Sequence, residues 1–184
     1  MTLSPCNTEA LAIVAGLALT VTPALADNCD AFRAVMAKLV NTPYRAIETM
    51  TGVVPMQTER IFTGSASYFN SGDGWRRYVG GKSPREVFRT NFIDAKLTCR
   101  RLPDEPMGRE ITEVFAVRRE AENHLNEINV WVLKTSSLPL KLEVKYHSQT
   151  DGTIREVSTT TFSYTDVIPP SGAQPFVVHN NSPN

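Results

Sequence analysis

From Lys96 to Val167 the chain reads as a run of segments in which apolar and polar residues alternate, and this constrains the fold more than any other feature. In "LPLKLEVKYH" (138–147), Leu138, Leu140, Leu142, Val144 and Tyr146 fall on one parity, and Pro139, Lys141, Glu143, Lys145 and His147 on the other. Side chains along a strand alternate faces, so such a segment has one face for a core and one for water. Four more segments have the length and residue types of strands: "KLTCRRL", "REITEVFAVRR", "HLNEINVWVLK" and "TIREVSTTTFSYTDV". The clusters "PDEPMG", "EAEN", "TSS" and "SQTDG" separate them. Strands joined in sequence by short turns predict an antiparallel meander with one apolar face.

Something must cover that face. "DNCDAFRAVMAKLVN" (27–41) has the spacing of an amphipathic helix, with Ala31, Val35 and Leu39 on one stripe beside Phe32 and Met36. Asp27, Asn28 and Asp30 suit its start, where N–H groups lack partners. "TPYRAIETMTG" predicts a strand, and residues 55–81 predict two or three more around the turn "NSGDG". "SPREVFRTNFIDA" predicts a short helix with Ser83 as cap and Pro84 in its first turn. The expected fold is therefore α+β: a curved antiparallel sheet, a half-barrel, with an N-terminal helix and a short second helix on its concave face. The domain is expected over residues 27–170. The Pro-, Asn- and Ser-rich tail, 171–184, is expected to be largely irregular, with docking possible at residues 176–178.

"LAIVAGLALTV" (11–21) is an apolar run that, as a helix, would span only about 16 Å, against a bilayer core of about 30 Å. Ala24 and Ala26 follow as an A-x-A site, so residues 1–26 are expected to be a secretory signal peptide cleaved after Ala26. The segment before the run carries Glu9 and no Lys or Arg, unlike the usual basic start of such a signal. A soluble periplasmic product is expected, with no membrane span. Losing Glu9 leaves the remainder almost neutral, which argues against a nucleic-acid partner. Cys29 and Cys99 remain, an even number in an oxidising compartment, and a disulfide is favoured over two buried thiols. The residues before Cys29 do not form the small apolar run that lipid attachment to that cysteine would need.

Three stretches resemble the outer-membrane lipoprotein carrier (LolA-like) superfamily of periplasmic half-barrel proteins. They are "ERIFTGSASYFNSGDGW" (59–75), "VWVLKTSSLPLKLEV" (130–144) and "TTTFSYTDVIPP" (159–170), in that order. The resemblance covers roughly residues 55–170 and implies a sheet that holds an apolar cavity under a helical lid. The early Arg-Pro strand by which the carrier controls ligand uptake has no counterpart here, and the stretch from Tyr44 to Glu59 is short for its first hairpin. An unassigned side branch of the superfamily is the better match, and fold transfers further than function.

Catalytic chemistry finds little footing. "VGGKSP" lacks the first glycine of a phosphate-binding loop, since Arg76 stands where it should be. His124, His147 and His179 are scattered, and no nucleophile elbow is present. No enzyme activity, metal or cofactor is expected. The pairs Arg76–Arg77, Arg100–Arg101 and Arg118–Arg119 read as wet-face residues balanced by Glu110, Glu113, Glu120 and Glu122; the competing reading sends one guanidinium of each pair to a cavity rim and a lipid head group. Tyr68, Trp75, Trp131, Phe162 and Tyr164 are candidates either for core or for a pocket lining. The expected function is non-enzymatic binding or carriage of a hydrophobic ligand, an acyl chain, lipid or lipoprotein. Its expected site residues are Trp131, Leu140, Leu142, Val144, Tyr146 and Phe162. The alternative is an envelope protein-interaction or sensor module using the same sheet.

Overall fold

The computed structural model describes residues 28–52, 55–79, 86, 89–93, 95–121, 124–148 and 150–177. The expected signal segment, Ser83, Pro84 and His179 lie outside the described residues. One helix, α1 (Asn28–Leu39), precedes ten strands. These are β1 (Tyr44–Thr51), β2 (Met56–Phe62), β3 (Ser67–Asn70), β4 (Trp75–Val79), β5 (Leu97–Met107), β6 (Glu110–Ala121), β7 (His124–Leu133), β8 (Pro139–His147), β9 (Ile154–Ser163) and β10 (Gln174–Val177). A five-residue π-helix, Arg89–Ile93, lies between β4 and β5, inside the stretch expected to form the second helix.

All ten strands form one open sheet in the order β10-β4-β3-β2-β1-β9-β8-β7-β6-β5. Two antiparallel meanders meet where β9 returns to pair with β1, Thr49 opposite Thr159. The segment after β4 then carries the chain to the far edge, where β5 begins. Register shifts between Leu102 and Glu105, at Trp131/Val132 and at Tyr146/His147 interrupt the ladders. Such bulges add local twist and bend a long sheet instead of leaving it flat. The result is an α+β half-barrel.

The core lies under α1. Phe32, Val35, Met36 and Leu39 pack on Phe115, Val117, Ile128, Val130, Val132, Leu142 and Val144. These sheet residues are cross-strand partners on one face: Phe115 faces Val130, which faces Leu142. The helix is tied at both ends. Cys29 is disulfide-bonded to Cys99 of β5, with Cα atoms 5.0 Å apart. Near the other end Lys38 Nζ donates to the Ser136 carbonyl in the β7–β8 turn, at 2.5 Å.

Two sequence readings change. "PDEPMG" is not simply a connection, because β5 runs through Pro103 and Pro106 to Met107. β5 is the sheet edge and pairs only with β6, so a missing N–H can face outward without breaking a ladder bond. The turn is confined to Gly108 and Arg109, and Gly108 supplies a φ of 64°. In the tail, residues 174–177 form β10, parallel to β4, with Phe176 packed edge-on against Phe69 and Tyr78 at ring distances of 5.2 and 5.9 Å.

Candidate functional site

α1 covers the β5–β8 side of the sheet's inner face. Beyond it, toward β1–β4, lies a cavity of about 460 Å³. On β9 the core-facing parity carries Ser158 and Thr160 instead of aliphatic residues, so this part of the face does not attract a packed cover. Ile128, Leu142 and Val144 give the cavity an aliphatic wall shared with the core under the helix. Tyr44, Phe62 and Phe162 form an aromatic end; the Tyr44 ring centroid is 5.6 Å from each of the other two. Phe92 of the π-helix reaches the same space and also meets the Phe32 ring of α1, 6.2 Å away.

Ala46 and Ile61 add to the apolar lining, and the remaining residues carry polar groups. Glu48 accepts a hydrogen bond from Ser158 Oγ at 2.7 Å and an ion pair from Arg60 at 3.2 Å. Ser158 is 1% exposed, so this bond satisfies a hydroxyl that water cannot reach. Arg60 is itself half exposed, which puts this pair at the cavity's solvent side. Tyr146, Asn126 and Arg119 also belong to the polar lining and are direct cross-strand neighbours: Tyr146 faces Asn126, and Asn126 faces Arg119. Burial raises the Tyr146 hydroxyl above its ordinary pKa, with Glu48 and Glu156 adding to the shift. Tyr44 is raised by burial, partly offset by Arg60. Both phenols remain protonated donors at neutral pH.

Of the residues expected at a site, Leu142, Val144, Tyr146 and Phe162 line the cavity together. Trp131 and Leu140 are not among its lining residues. Trp131 sits between Val130 and Val132, both almost wholly buried, and so points to the opposite face. There its Nε1 donates to Glu105 at 2.7 Å, and Lys141 Nζ lies 4.2 Å from its ring centre. Leu140 is displaced by the bulge that pairs Lys141 with Trp131 but Pro139 with Val132. Pro139, expected on the wet parity, is consequently buried. Of the aromatic candidates, Tyr68 joins Phe162 in the lining, whereas Tyr164 packs beside the core and donates from its hydroxyl to the Pro139 carbonyl at 2.5 Å.

Sequence reasoning passed over Glu48 and Asn126, and reached Arg119 only through the competing cavity-rim reading of the arginine pairs. The signal was there: each is a polar residue on an otherwise apolar parity, as in Phe115, Val117, Arg119 and Asn126, Ile128, Val130. The arginine pairs separate as adjacent strand residues must. Arg119 turns to the cavity, and Arg118 pairs outside with Glu120 at 3.4 Å. Arg101, cross-strand partner of Phe115, holds Asp104 and Glu113 at 3.0 and 3.1 Å and is not part of the cavity lining. Among the described residues no group of three or more His, Cys, Asp or Glu side chains is placed to hold a metal ion. No described helix is long and apolar enough to cross a membrane.

Taken together, the molecule is a half-barrel with a cavity on its concave face, partly roofed by one helix. No protein-family model matches the chain, and no curated protein does. Among solved structures, the chain is similar to MucB in complex with the MucA periplasmic region, with 13% identity and a TM-score of 0.49 over 81% of this chain. It is also similar to the Pseudomonas aeruginosa MucA/MucB complex, with 13% identity and a TM-score of 0.46 over 74% of this chain. The chain spans only 61% and 56% of those two structures' chains. A LolA superfamily protein from Nitrosomonas europaea is similar over 74% of this chain and 91% of its own, with 10% identity and a TM-score of 0.35. That is the superfamily the sequence motifs resemble.

Proposed function

We propose that this protein binds a hydrophobic ligand, an acyl chain or lipid free or on a lipoprotein, and performs no chemistry on it. The observation that carries this reading is the 460 Å³ cavity with its aliphatic wall and aromatic end. Its size lies within the range of small-molecule sites, about 300–1,000 Å³. Trapped apolar walls without contents forgo dispersion contacts, so an apolar guest is the natural occupant. The proposed binding residues are Leu142, Val144, Tyr146 and Phe162, with Tyr44 and Phe62 beside them.

The proposed compartment is the periplasm. The Cys29–Cys99 bond supports an oxidising environment, and the apolar run 11–21 followed by Ala24 and Ala26 supports export with cleavage after Ala26. A second reading, a protein-interaction module of the envelope, is favoured by one observation. Glu48, Arg60, Ser158 and Thr160 offer the cavity side chains that could hydrogen-bond a peptide.

The test is titration of a fluorescent fatty-acid probe into the wild type and into Phe162→Glu. Phe162 is half-buried at the cavity wall, so the variant is expected to fold, judged by thermal melting. Its charge faces an apolar guest, and probe affinity is expected to fall at least about tenfold. A wild type that takes up no probe overturns the carrier reading in favour of the interaction module.

A further inference from the structure

Beyond the cavity, we infer that the β4 edge of the sheet is an acceptor for an extended peptide strand of another protein, held shut in this structure by the chain's own β10. The partner it fits carries an aromatic residue followed by an aliphatic one. A sheet edge takes up an added strand through main-chain hydrogen bonds, and slots for alternate side chains give the specificity. β10 shows what these slots take. Phe69 and Tyr78 stand with ring centroids 4.9 Å apart, and the Phe176 ring packs edge-on against both. The Arg76 guanidinium lies over the same ring, 5.9 Å from its centre. Phe69 is opposite Arg60, and Arg60 is opposite Ala46, so this slot lies on the concave face beside the cavity, whose lining Tyr78 shares. The next position falls on the other face, where Val177 is opposite Val79 and both side chains stay accessible, at 54% and 43% exposure.

Little holds the resident strand. It has four residues and one ladder partner, and the pairing is parallel, the slightly weaker kind. Gln174, Pro175 and Val177 are exposed, so Phe176 carries the side-chain packing. Pro175 has no N–H to give to either side. Residues 164–173, which join β10 to β9, contain Pro169, Pro170 and a Gly172 at φ 71°, and none of them belongs to a strand. β10 can therefore leave the sheet without cost to β9. The opposite edge is closed by other means. β5 is eleven residues long, but it carries Pro103, Pro106, a register shift between Leu102 and Glu105, and the disulfide to α1. Prolines and bulges are what keep an edge from pairing with a second chain. A second copy of this chain offers the β4 edge no contact that its own β10 does not already make. A longer strand does, because β10 pairs with Arg76 to Val79 and leaves Trp75, the first of the five β4 residues, off its ladder.

The experiment is fluorescence anisotropy with a labelled synthetic peptide of residues 171–177, titrated with the full chain as wild type and as Phe176→Asp. The substitution takes the ring out of its slot and leaves β4 open. Phe176→Asp is expected to bind the peptide at least about tenfold more tightly than the wild type, whose own strand competes. A peptide with alanine in place of its phenylalanine is expected to bind at least about tenfold more weakly, whereas tyrosine or tryptophan there keeps the affinity. Hydrogen exchange should slow along residues 75–79 when the peptide binds. Fatty-acid probe uptake is expected to be the same in both proteins, since no β10 residue lines the cavity, and this separates the result from the cavity reading. Should Phe176→Asp fail to melt cooperatively, Phe176→Ala takes its place with a smaller gain. A peptide that binds neither variant, that binds wild type and variant alike, or that keeps its affinity without the aromatic ring overturns the inference. A wild-type dimer that Phe176→Asp dissolves overturns it as well, and assigns the edge to the tail of a second copy.

Discussion

At the residue scale, the position of Pro139 shows how one side chain can settle a register. Its missing N–H makes it a poor partner inside a ladder, and the bulge opposite Trp131 and Val132 accommodates it. Once there, it is buried, and Tyr164 donates to its carbonyl from a hydroxyl that burial, with Tyr44 nearby, pushes well above the ordinary phenol range. Removing that hydroxyl loses one partly buried hydrogen bond and little else. Tyr164→Phe is therefore expected to lower the unfolding free energy by about 1 kcal/mol, read as a shift of the urea midpoint at unchanged slope. Probe uptake should not change, since Tyr164 lies outside the cavity lining. A loss of uptake would mean that the bulge, not merely the bond, depends on this tyrosine. Parity in the sequence placed Leu142, Val144 and Tyr146 correctly on one face, but it could not foresee the displacement of Leu140. A bulge is a property of two paired strands, and one strand read alone does not contain it.

At the scale of elements, α1 behaves as a fixed roof. Its apolar stripe was legible from spacing, because Phe32, Val35, Met36 and Leu39 repeat at helical intervals and all are buried. Its attachments differ in kind: a covalent bond at Cys29 and one side-chain bond from Lys38. The disulfide closes a loop of 70 residues, and chain entropy gives it about 4 kcal/mol. Reduction, or Cys29→Ser with Cys99→Ser, is expected to lower the unfolding free energy by an amount of that order. Hydrogen exchange should then rise first in the first turn of α1 and along β5. If protection falls instead across β1–β4, the bond stabilises the sheet and does more than hold the roof. The second expected helix illustrates the opposite limit. Its boundary signals at residues 83–84 fall outside the described stretch, and residues 89–93 form a π-helical turn whose Phe92 is placed by packing on Phe32. Local spacing does not encode that contact. β10 was equally hard to see, since four residues with a proline carry too little pattern to predict a parallel partner.

For the molecule as a whole, the open ten-stranded sheet has more inner surface than α1 covers, and the cavity lies in what α1 leaves. Eight or nine of the ten strands were expected, and their alternation was readable in the chain. Which half of the face stayed uncovered was not, because it depends on β9 pairing with β1, more than a hundred residues apart. That pairing gathers Tyr44, Tyr146 and Tyr164 around the inner face, and burial is the chief cause that raises each above its ordinary pKa. A phenol whose folded pKa is raised keeps its full contribution below the unfolded value of about 10, and loses it as pH climbs further. The acid side runs the other way. Asp104 is held below the ordinary carboxylate range chiefly by its hydrogen bond from Lys134, and Asp151 by the backbone N–H of Thr153. Their contribution is present above the unfolded value of about 4 and fades as pH falls through the folded one. Both aspartates are exposed, so this limb should be shallow and weakened by salt. Urea midpoints measured across pH are thus expected to be flat between about pH 5 and 9, to slope gently below and to drop steeply above about pH 10. Tyr164→Phe should flatten the alkaline drop while leaving the acid limb in place. An alkaline limb that is unaltered in Tyr164→Phe and also in Tyr44→Phe would mean that lysine deprotonation across the surface, and not the buried phenols, governs unfolding there.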